Sequence, residues 1–437
     1  MHRRRAGHGR DLRAGLSVAI ETTVEALDFP ALIRPGSMVC WGQASAEPLL
    51  LTRALMERRA EIGRFDAFIG IGWSETADPV FADHVRFYSY CATGTNRRLA
   101  QAGCLDIIPS HYSTLPRLLA PRVDVLMLQL APPDAEGRYS MAAACEYLHP
   151  LVDSARLVIA EVNDQAPSTP GPHGLTEADI DIIVHSSRPL AAMPAPAPGA
   201  AEQAIGRVIA GLVEDGAVLQ IGLGSLPESV LQALHGHRHL GVHSGLMTDG
   251  MAELIEAGVL TNARKPVDAG VSVTGLLAGG RRLTDLAHRN KAFSLRETSY
   301  THDLNILARL DRLTTINAAV EVDLTGQINA EEVAGRYVGA VGGAPDFLRG
   351  AHLAARGRPI IALPATAKGR DGPVSRIVAK LGGPVSTSRG DAGIIVTEFG
   401  SADLRGLSLP ERRARMIALA APEFREELER ASHAAPA

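Results

Sequence analysis

Gly222-Leu223-Gly224-Ser225-Leu226-Pro227 has the residue types that let a backbone close on an anion. Two glycines remove side chains from the approach, and a helix starting behind them offers free N–H groups. A tight turn with no ligand is the plainer reading of so short a motif. Val341-Gly342-Gly343-Ala344-Pro345-Asp346-Phe347 is again glycine-rich after an apolar run. Paired glycines there would present N–H groups to a developing oxyanion, as acyl transfer requires; a simple loop turn serves equally well. A third stretch, Asn317 to Glu331, concentrates Glu321, Asp323, Gln327 and Asn329 beside apolar neighbours. Such groups are expensive to bury unpaired, so they are either hydrogen-bonded, at a site, or in a solvated loop.

The elements that would position these loops read as alternating strands and helices. Ala204, Ile205, Val208, Ile209, Leu212 and Val213 recur at helical spacing, Asp215-Gly216 stops that helix, and Ala217 to Ile221 is a short buried strand. Further strands are expected at Val123 to Leu130, Arg156 to Ala160, Leu304 to Leu307, Ile360 to Leu363 and Gly393 to Thr397, with amphipathic helices such as Met251 to Ala257 and Glu411 to Ala420 between them. This alternation implies parallel sheets covered by helices, with sites at the carboxyl ends of strands.

An internal repeat organises the chain. Gly36, Gly42 and Ser45 pair with Gly216, Gly222 and Ser225 at a constant offset of 180, and Leu51 pairs with Leu231 at the same offset. Phe68-Ile69-Gly70-Ile71 resembles His239-Leu240-Gly241-Val242 as the next strand. Between the copies, Arg188 to Ala201 carries four prolines within ten residues, which suits a linker and neither a helix nor a central strand. The expectation is two related open α/β domains, 1–195 and 200–437, with the site at their interface.

Composition narrows the function. The 437 residues carry a formal charge of −4, which argues against a dedicated nucleic-acid binder. Cys40, Cys91, Cys104 and Cys145 form no CxxC pair and are expected as buried reduced thiols, with neither a disulfide framework nor a metal site. The basic start Met1 to Arg5 precedes an apolar stretch, Gly15 to Ile20, too short for a secretory signal. No run of eighteen apolar residues occurs, so a soluble, cytoplasmic protein without a membrane partner is expected.

Taken in order, the motifs resemble the acetyl-CoA hydrolase/transferase family, class I CoA-transferases that include 4-hydroxybutyrate CoA-transferase. The resemblance rests on DGAVLQIGLGSLPESV (215–230), GVHSGLMTDGMAELIEAGVLTNARK (241–265), YTHD (300–303), INAAVEVDLTGQINAE (316–331), YVGAVGGAPDFLRGA (337–351), IIALPATA (360–367) and IIVTEFGSADLRGLSLPERR (394–413). GQASAEP (42–48), PSHYS (109–113), PDAEGRYS (133–140) and ARLVIAEVN (155–163) fit in the first half. The resemblance implies coenzyme A, as acyl-CoA substrate, bound between two related domains, and a homo-oligomer. It also implies a ping-pong reaction in which a glutamate carboxylate attacks the thioester and later holds CoA itself, before a small carboxylate takes the CoA.

One position departs from that pattern. Transferases of the family carry the nucleophilic glutamate in a block reading roughly H-T/S-E-M, and this chain reads His243-Ser244-Gly245-Leu246-Met247. Glycine forms no thioester, so another carboxylate substitutes or the chemistry differs. Glu75, following the strand that ends Ile69-Gly70-Ile71, is placed by the repeat near the counterpart of Gly245; Glu47 and Glu321 are the other candidates, each with a plain surface or supporting role as alternative. Asn317, Gly342 and Gly343 match family positions for orientation and the oxyanion hole. A Ser244–His243 pair is disfavoured because neighbours on a strand face opposite sides. CoA is expected chiefly on the second domain, at Gly222, Gly224, Ser225, Gly342, Gly343 and Asp346, with Lys368, Arg370 or Arg376 toward phosphate. Transfer of CoA leads; acyl-CoA hydrolysis or direct acyl transfer, and a non-catalytic CoA-binding protein, are the alternatives.

Overall fold

The structure, a computed structural model, describes residues 19–193 and 197–434. The basic amino terminus and part of the proline run lie outside the described residues.

Two eight-stranded sheets form the molecule. The first contains β1 (Ile20–Thr22), β2 (Met38–Trp41), β3 (Phe65–Phe68), β4 (Val85–Ser89), β5 (Leu105–Ile107), β6 (Val123–Leu130), β7 (Leu157–Asn163) and β8 (Ile182–Ser186) in the order β1-β8-β7-β6-β2-β3-β4-β5. The second contains β9 (Val218–Ile221), β10 (Gly241–Met247), β11 (Ser272–Leu277), β12 (Phe293–Leu295) and β13 (Leu313–Ala318), ordered β12-β11-β10-β9-β13 and continued by Arg358–Ala362, Ile394–Thr397 and Gly400–Asp403. Within these two sheets every pairing is parallel except that of the last two strands of the second. Sheets of this kind are covered on both faces, and β2, β7 and β9 are accordingly buried along their whole length.

Chain direction reverses at the same place in each sheet. From β2 the chain moves outward through β3, β4 and β5, then returns to the other side of β2 as β6; from β9 it moves through β10, β11 and β12, then returns as β13. A crevice opens at the carboxyl ends of the strands at such a switch point. Gly36 (φ +81°) and Gly216 (φ +78°) turn the chain into β2 and β9 with the same left-handed backbone, which supports the offset of 180.

The next strand of the repeat is displaced from its sequence alignment. Met38 lies opposite Asp66, and its counterpart Val218 lies opposite Gly241. Four residues on from each partner stand Gly70 and Gly245, so Gly70, with Glu75 five residues beyond it, is the true counterpart of Gly245. The segment Leu304–Leu307, expected as a strand, is a single helical turn. Asp303 caps it, accepting from the N–H groups of Asn305 at 2.7 Å and Ile306 at 3.1 Å. Cys40, Cys91 and Cys145 are buried free thiols, whereas Cys104 is only half-buried.

One apolar cluster runs unbroken from the first domain through Leu126, Val158 and Ala144 to Leu276, Val242 and Leu219 in the second. Backbone bonds seal the contact: the Cys145 N–H donates to Gly275 O at 3.0 Å, and the Leu277 N–H donates to Ala143 O at 2.8 Å. The two switch points are thereby held facing each other.

Candidate active site

A cavity of about 330 Å³ lies between the switch points. The first domain lines it with side chains: Gln43 just past β2, Tyr90 and Cys91 past β4, then Tyr112 and Glu146. The second domain lines it largely with backbone at Gly222, Gly245, Gly339 and Gly343, together with Gln220, His302 and Asn317. Ile221, Leu246, Leu276 and Phe347 supply apolar wall. Through Ile71, Thr93, Gly222, Leu223 and Pro227 the cavity adjoins an outer chamber of about 800 Å³ that Gly224, Arg97 and Arg98 also line.

Gln43 organises the polar wall. Its Oε1 accepts from the Ile71 N–H at 2.8 Å and from Tyr90 Oη at 2.9 Å, and its Nε2 donates to Tyr112 Oη at 2.9 Å and Glu146 Oε2 at 2.6 Å. Tyr112 Oη also donates to Glu146 Oε2. Glu146 Oε1 is buried and has no partner. Burial pushes the Glu146 carboxyl up to about 8, against the smaller opposing pull of the hydrogen bonds from Tyr112 and Gln43. Residue 146 was not among the sequence candidates. The one local signal is an acidic residue inside the small apolar run Met141 to Leu148, and its partners lie 34 and 103 residues away.

His302, from the YTHD motif, stands between the two walls. Its ring packs on Tyr112 (centroids 5.0 Å apart) and on Phe347 (4.5 Å), and Thr301 Oγ1 meets its Nδ1 at 2.8 Å. Burial pulls its pKa down to about 3, so the imidazole is neutral across the physiological range. A Cβ on Gly245 would lie 3.1 Å from His302 Cε1, and one on Gly343 only 2.6 Å from His302 Nε2. Both glycines give the ring room.

The structure sorts the other sequence candidates. Asn317 and Gly245 line the cavity, and Asn317 exchanges paired amide hydrogen bonds with Gln220 at 3.0 and 3.2 Å. Glu75 does not: it is exposed and paired with Arg53 at 2.6 Å. Glu47 is buried beneath its own loop, accepting from Thr52 Oγ1 at 2.8 Å and from Thr76 Oγ1, and lines neither chamber. Glu321 accepts from Asn329 Nδ2 at 3.0 Å and from the Gly382 N–H at 2.7 Å, bracing the Asn317 to Glu331 loop. His243 and Ser244 turn apart, His243 Nε2 meeting Thr301 O at 3.1 Å and Ser244 Oγ meeting Ile221 O at 3.4 Å.

Among the expected CoA contacts, Gly222, Gly224 and Gly343 border the chambers. Gly342 is a strut, its carbonyl accepting from the Tyr112 N–H at 3.0 Å. Ser225 Oγ is turned to Glu202 at the start of its helix. Asp346 clasps the domains, accepting from Ser113 Oγ at 2.7 Å and the Ser113 N–H at 3.1 Å. Lys368 and Arg370 are exposed and line neither chamber, while Arg376 donates to the carbonyls of Val320 (2.7 Å) and Ala319. Among the described residues no cluster of His, Cys, Asp and Glu fit to hold a metal ion occurs, and no helix is long and apolar enough to cross a membrane.

Comparison with known proteins agrees over most of the chain. Residues 21–194 match the acetyl-CoA hydrolase/transferase N-terminal domain, and residues 279–432 match the C-terminal domain of the same family. The chain is 36% identical to the 4-hydroxybutyrate coenzyme A transferase of Clostridium kluyveri, over 93% of this chain and 96% of that one. It is 33% identical to the succinyl-CoA:cyclohexane-1-carboxylate CoA transferase of Geobacter metallireducens, over 93% and 94% of the two chains. Among solved structures, RipA from Yersinia pestis is 35% identical with a TM-score of 0.89, covering 95% of this chain and 97% of that one.

Proposed function

The chain belongs to the acetyl-CoA hydrolase/transferase family, and on that premise we propose that the cavity between its domains is where an acyl-CoA thioester passes its coenzyme A to a small carboxylate. The enzyme is of the CoA-transferase type, with CoA as substrate. One observation carries the location: both switch points open onto a single cavity, walled by hydrogen-bonding side chains on one side and by glycine backbone on the other. A site for transfer must admit a flat thioester, offer donors to its carbonyl, and keep water out. Glycine backbone at Gly222, Gly245 and Gly343 meets the first need, and the apolar walls meet the last. The acyl-pantetheine end enters the inner cavity. The phosphate-bearing end lies in the outer chamber, where Arg97 and Arg98 replace Lys368 as the cations within reach.

Gly245 favours a second reading. It stands where the family resemblance places the attacking glutamate, and a residue without a side chain forms no covalent intermediate. Hydrolysis, or direct attack by the acceptor, would then proceed with no enzyme-bound CoA. Incubation with several acyl-CoAs, with and without acetate, butyrate, succinate or 4-hydroxybutyrate, separates the readings. Transfer predicts new acyl-CoA with free CoA unchanged. Release of CoA without an acceptor supports hydrolysis, and CoA binding with no turnover contradicts an enzyme. The same proposal extends to a cytoplasmic homodimer or larger assembly, which a single-chain mass in light scattering at micromolar concentration would overturn.

A further inference from the structure

Among the described residues that line the inner cavity, Glu146 carries the one carboxyl group. Its setting is built by both domains. The Cys145 N–H donates to Gly275 O at 3.0 Å, and the Thr298 N–H donates to Glu146 O at 3.1 Å, so the first-domain segment is laid along β11. Glu146 itself holds φ at +35°, a left-handed backbone that costs a residue with a side chain about 1–2 kcal/mol. The carboxyl is fixed at one oxygen only: Oε2 accepts from Gln43 and Tyr112, and Oε1 has no partner. A Cβ built on Gly275 would lie 3.4 Å from Glu146 Cγ and 3.0 Å from Gly245 O. The Glu146 side chain and the Gly245 backbone thus close on the same edge of Gly275, an approach that the missing side chain at 275 permits.

We propose that Glu146 performs the covalent step of CoA transfer, its free Oε1 attacking the thioester carbonyl carbon beside Gly245. This rests on the cavity being a transfer site. The ionised carboxylate forms a C–O bond to the acyl carbon; the C–S bond breaks, and CoA leaves as the thiolate with its electron pair. The product is a mixed anhydride of Glu146. The CoA thiolate then attacks Glu146 Cδ, expelling the donor's carboxylate and leaving CoA as a thioester on Glu146. An acceptor carboxylate attacks that thioester carbonyl, and the same two exchanges in reverse regenerate the Glu146 carboxylate and release the new acyl-CoA. Gln43 and Tyr112 hold Oε2 throughout, while Oε1 leaves with the donor's carboxylate and an oxygen of the acceptor takes its place.

The test is chemical trapping followed by peptide mass spectrometry. Wild-type enzyme treated with acyl-CoA and then borohydride should lose activity and carry residue 146 reduced to the alcohol. Glu146→Gln keeps an oxygen for Gln43 and Tyr112 to donate to, and should bind CoA within a few-fold of wild type while losing exchange by at least about 10³-fold. Glu146→Asp, should the glutamine variant fail to fold, should retain slowed exchange and the trap at position 146. An exchanging wild type whose Glu146→Gln variant stays within about tenfold, or a trap on any other residue, overturns Glu146 and leaves the transfer reading standing. A wild type that exchanges CoA with none of the carboxylates overturns both.

Discussion

Gly42 and Gly222 are counterparts at the ends of β2 and β9, and their surroundings are opposite. A Cβ on Gly42 would meet the Ala46 carbonyl at 2.5 Å, whereas a Cβ on Gly222 has no neighbour within 4 Å. The next pair is covered on both sides: an added Cβ would lie 2.3 Å from Gln43 Oε1 at Gly70 and 3.1 Å from His302 Cε1 at Gly245, although Gly245 also lines the cavity. In the first domain the loop after β2 folds into its own crevice and turns its polar groups outward. The second domain leaves the crevice open. One duplicated architecture thereby supplies both parts of a site, a plug bearing side chains and a socket made of backbone.

The plug is the part with a charge to lose, so pH and the Glu146→Gln variant test it most strongly. The Glu146 carboxyl rises from an ordinary 4.5 to about 8, with burial as the cause. Between those values the unfolded chain has released a proton that the folded chain keeps, so this group's contribution to stability is full below about 4.5, falls as pH rises, and levels off above about 8. The groups facing the carboxyl stay neutral across this window. Tyr90, Tyr112 and Tyr147 are held above their ordinary values, as are the thiols of Cys40, Cys91 and Cys145, while His302 sits near 3. Relative to wild type, Glu146→Gln should gain on the order of 3–5 kcal/mol in denaturant unfolding between pH 4.5 and 8. Parallel stability curves for the two proteins would contradict the burial of this charge. On the same ground, wild-type transfer should rise with pH through about 8.

Next in size is the glycine pair itself. Gly42→Ala drives a methyl into a backbone carbonyl and should cost about 1–3 kcal/mol in thermal or denaturant unfolding. Gly222→Ala should stay within about 0.5 kcal/mol of wild type while weakening CoA binding. Equal losses of stability would erase the distinction between plug and socket. Gly343→Val reports less cleanly, since its side chain collides with the His302 ring as well as filling the cavity.

Smaller effects map the mouth. Arg97→Ala together with Arg98→Ala should raise the Kd for acyl-CoA about tenfold, near 1.4 kcal/mol, in calorimetry. Lys368→Ala should leave it unchanged. Glu75→Ala removes an exposed ion pair, and stability and turnover should both stay within about 0.5 kcal/mol of wild type.

What was legible in the sequence was local or repeated. Val123–Leu130 is one strand of mostly apolar residues, bounded as expected, and the turn glycines at 36 and 216 mark the duplication. Two related α/β domains follow from those features and are what the structure contains. The three apolar residues within 304–307 carry no period long enough to separate strand from helix; the Asp303 cap is the decisive sign. Glu75 was misplaced because short glycine-centred alignments slip, and a slip of four residues along β10 moved the supposed counterpart of Gly245 from Gly70 to the exposed loop. Glu146 is not legible because its partners, Gln43 and Tyr112, come from loops and turns far away in sequence, and the residues just before it are small and apolar. The glycine motifs are legible as local sequence and border the chambers at Gly222, Gly224 and Gly343, but which copy of the repeat stays open is decided by packing across the domains.

A crystal structure of the enzyme with a non-reacting acyl-CoA analogue tests the central claim most directly. The thioester carbonyl carbon should lie within about 3–3.5 Å of Glu146 Oε1, with the acyl group in the inner cavity beside Gly245 and Gly343 and the phosphates toward Arg97 and Arg98. A thioester held outside the cavity, or turned away from Glu146 with its carbonyl beyond reach, would contradict the account.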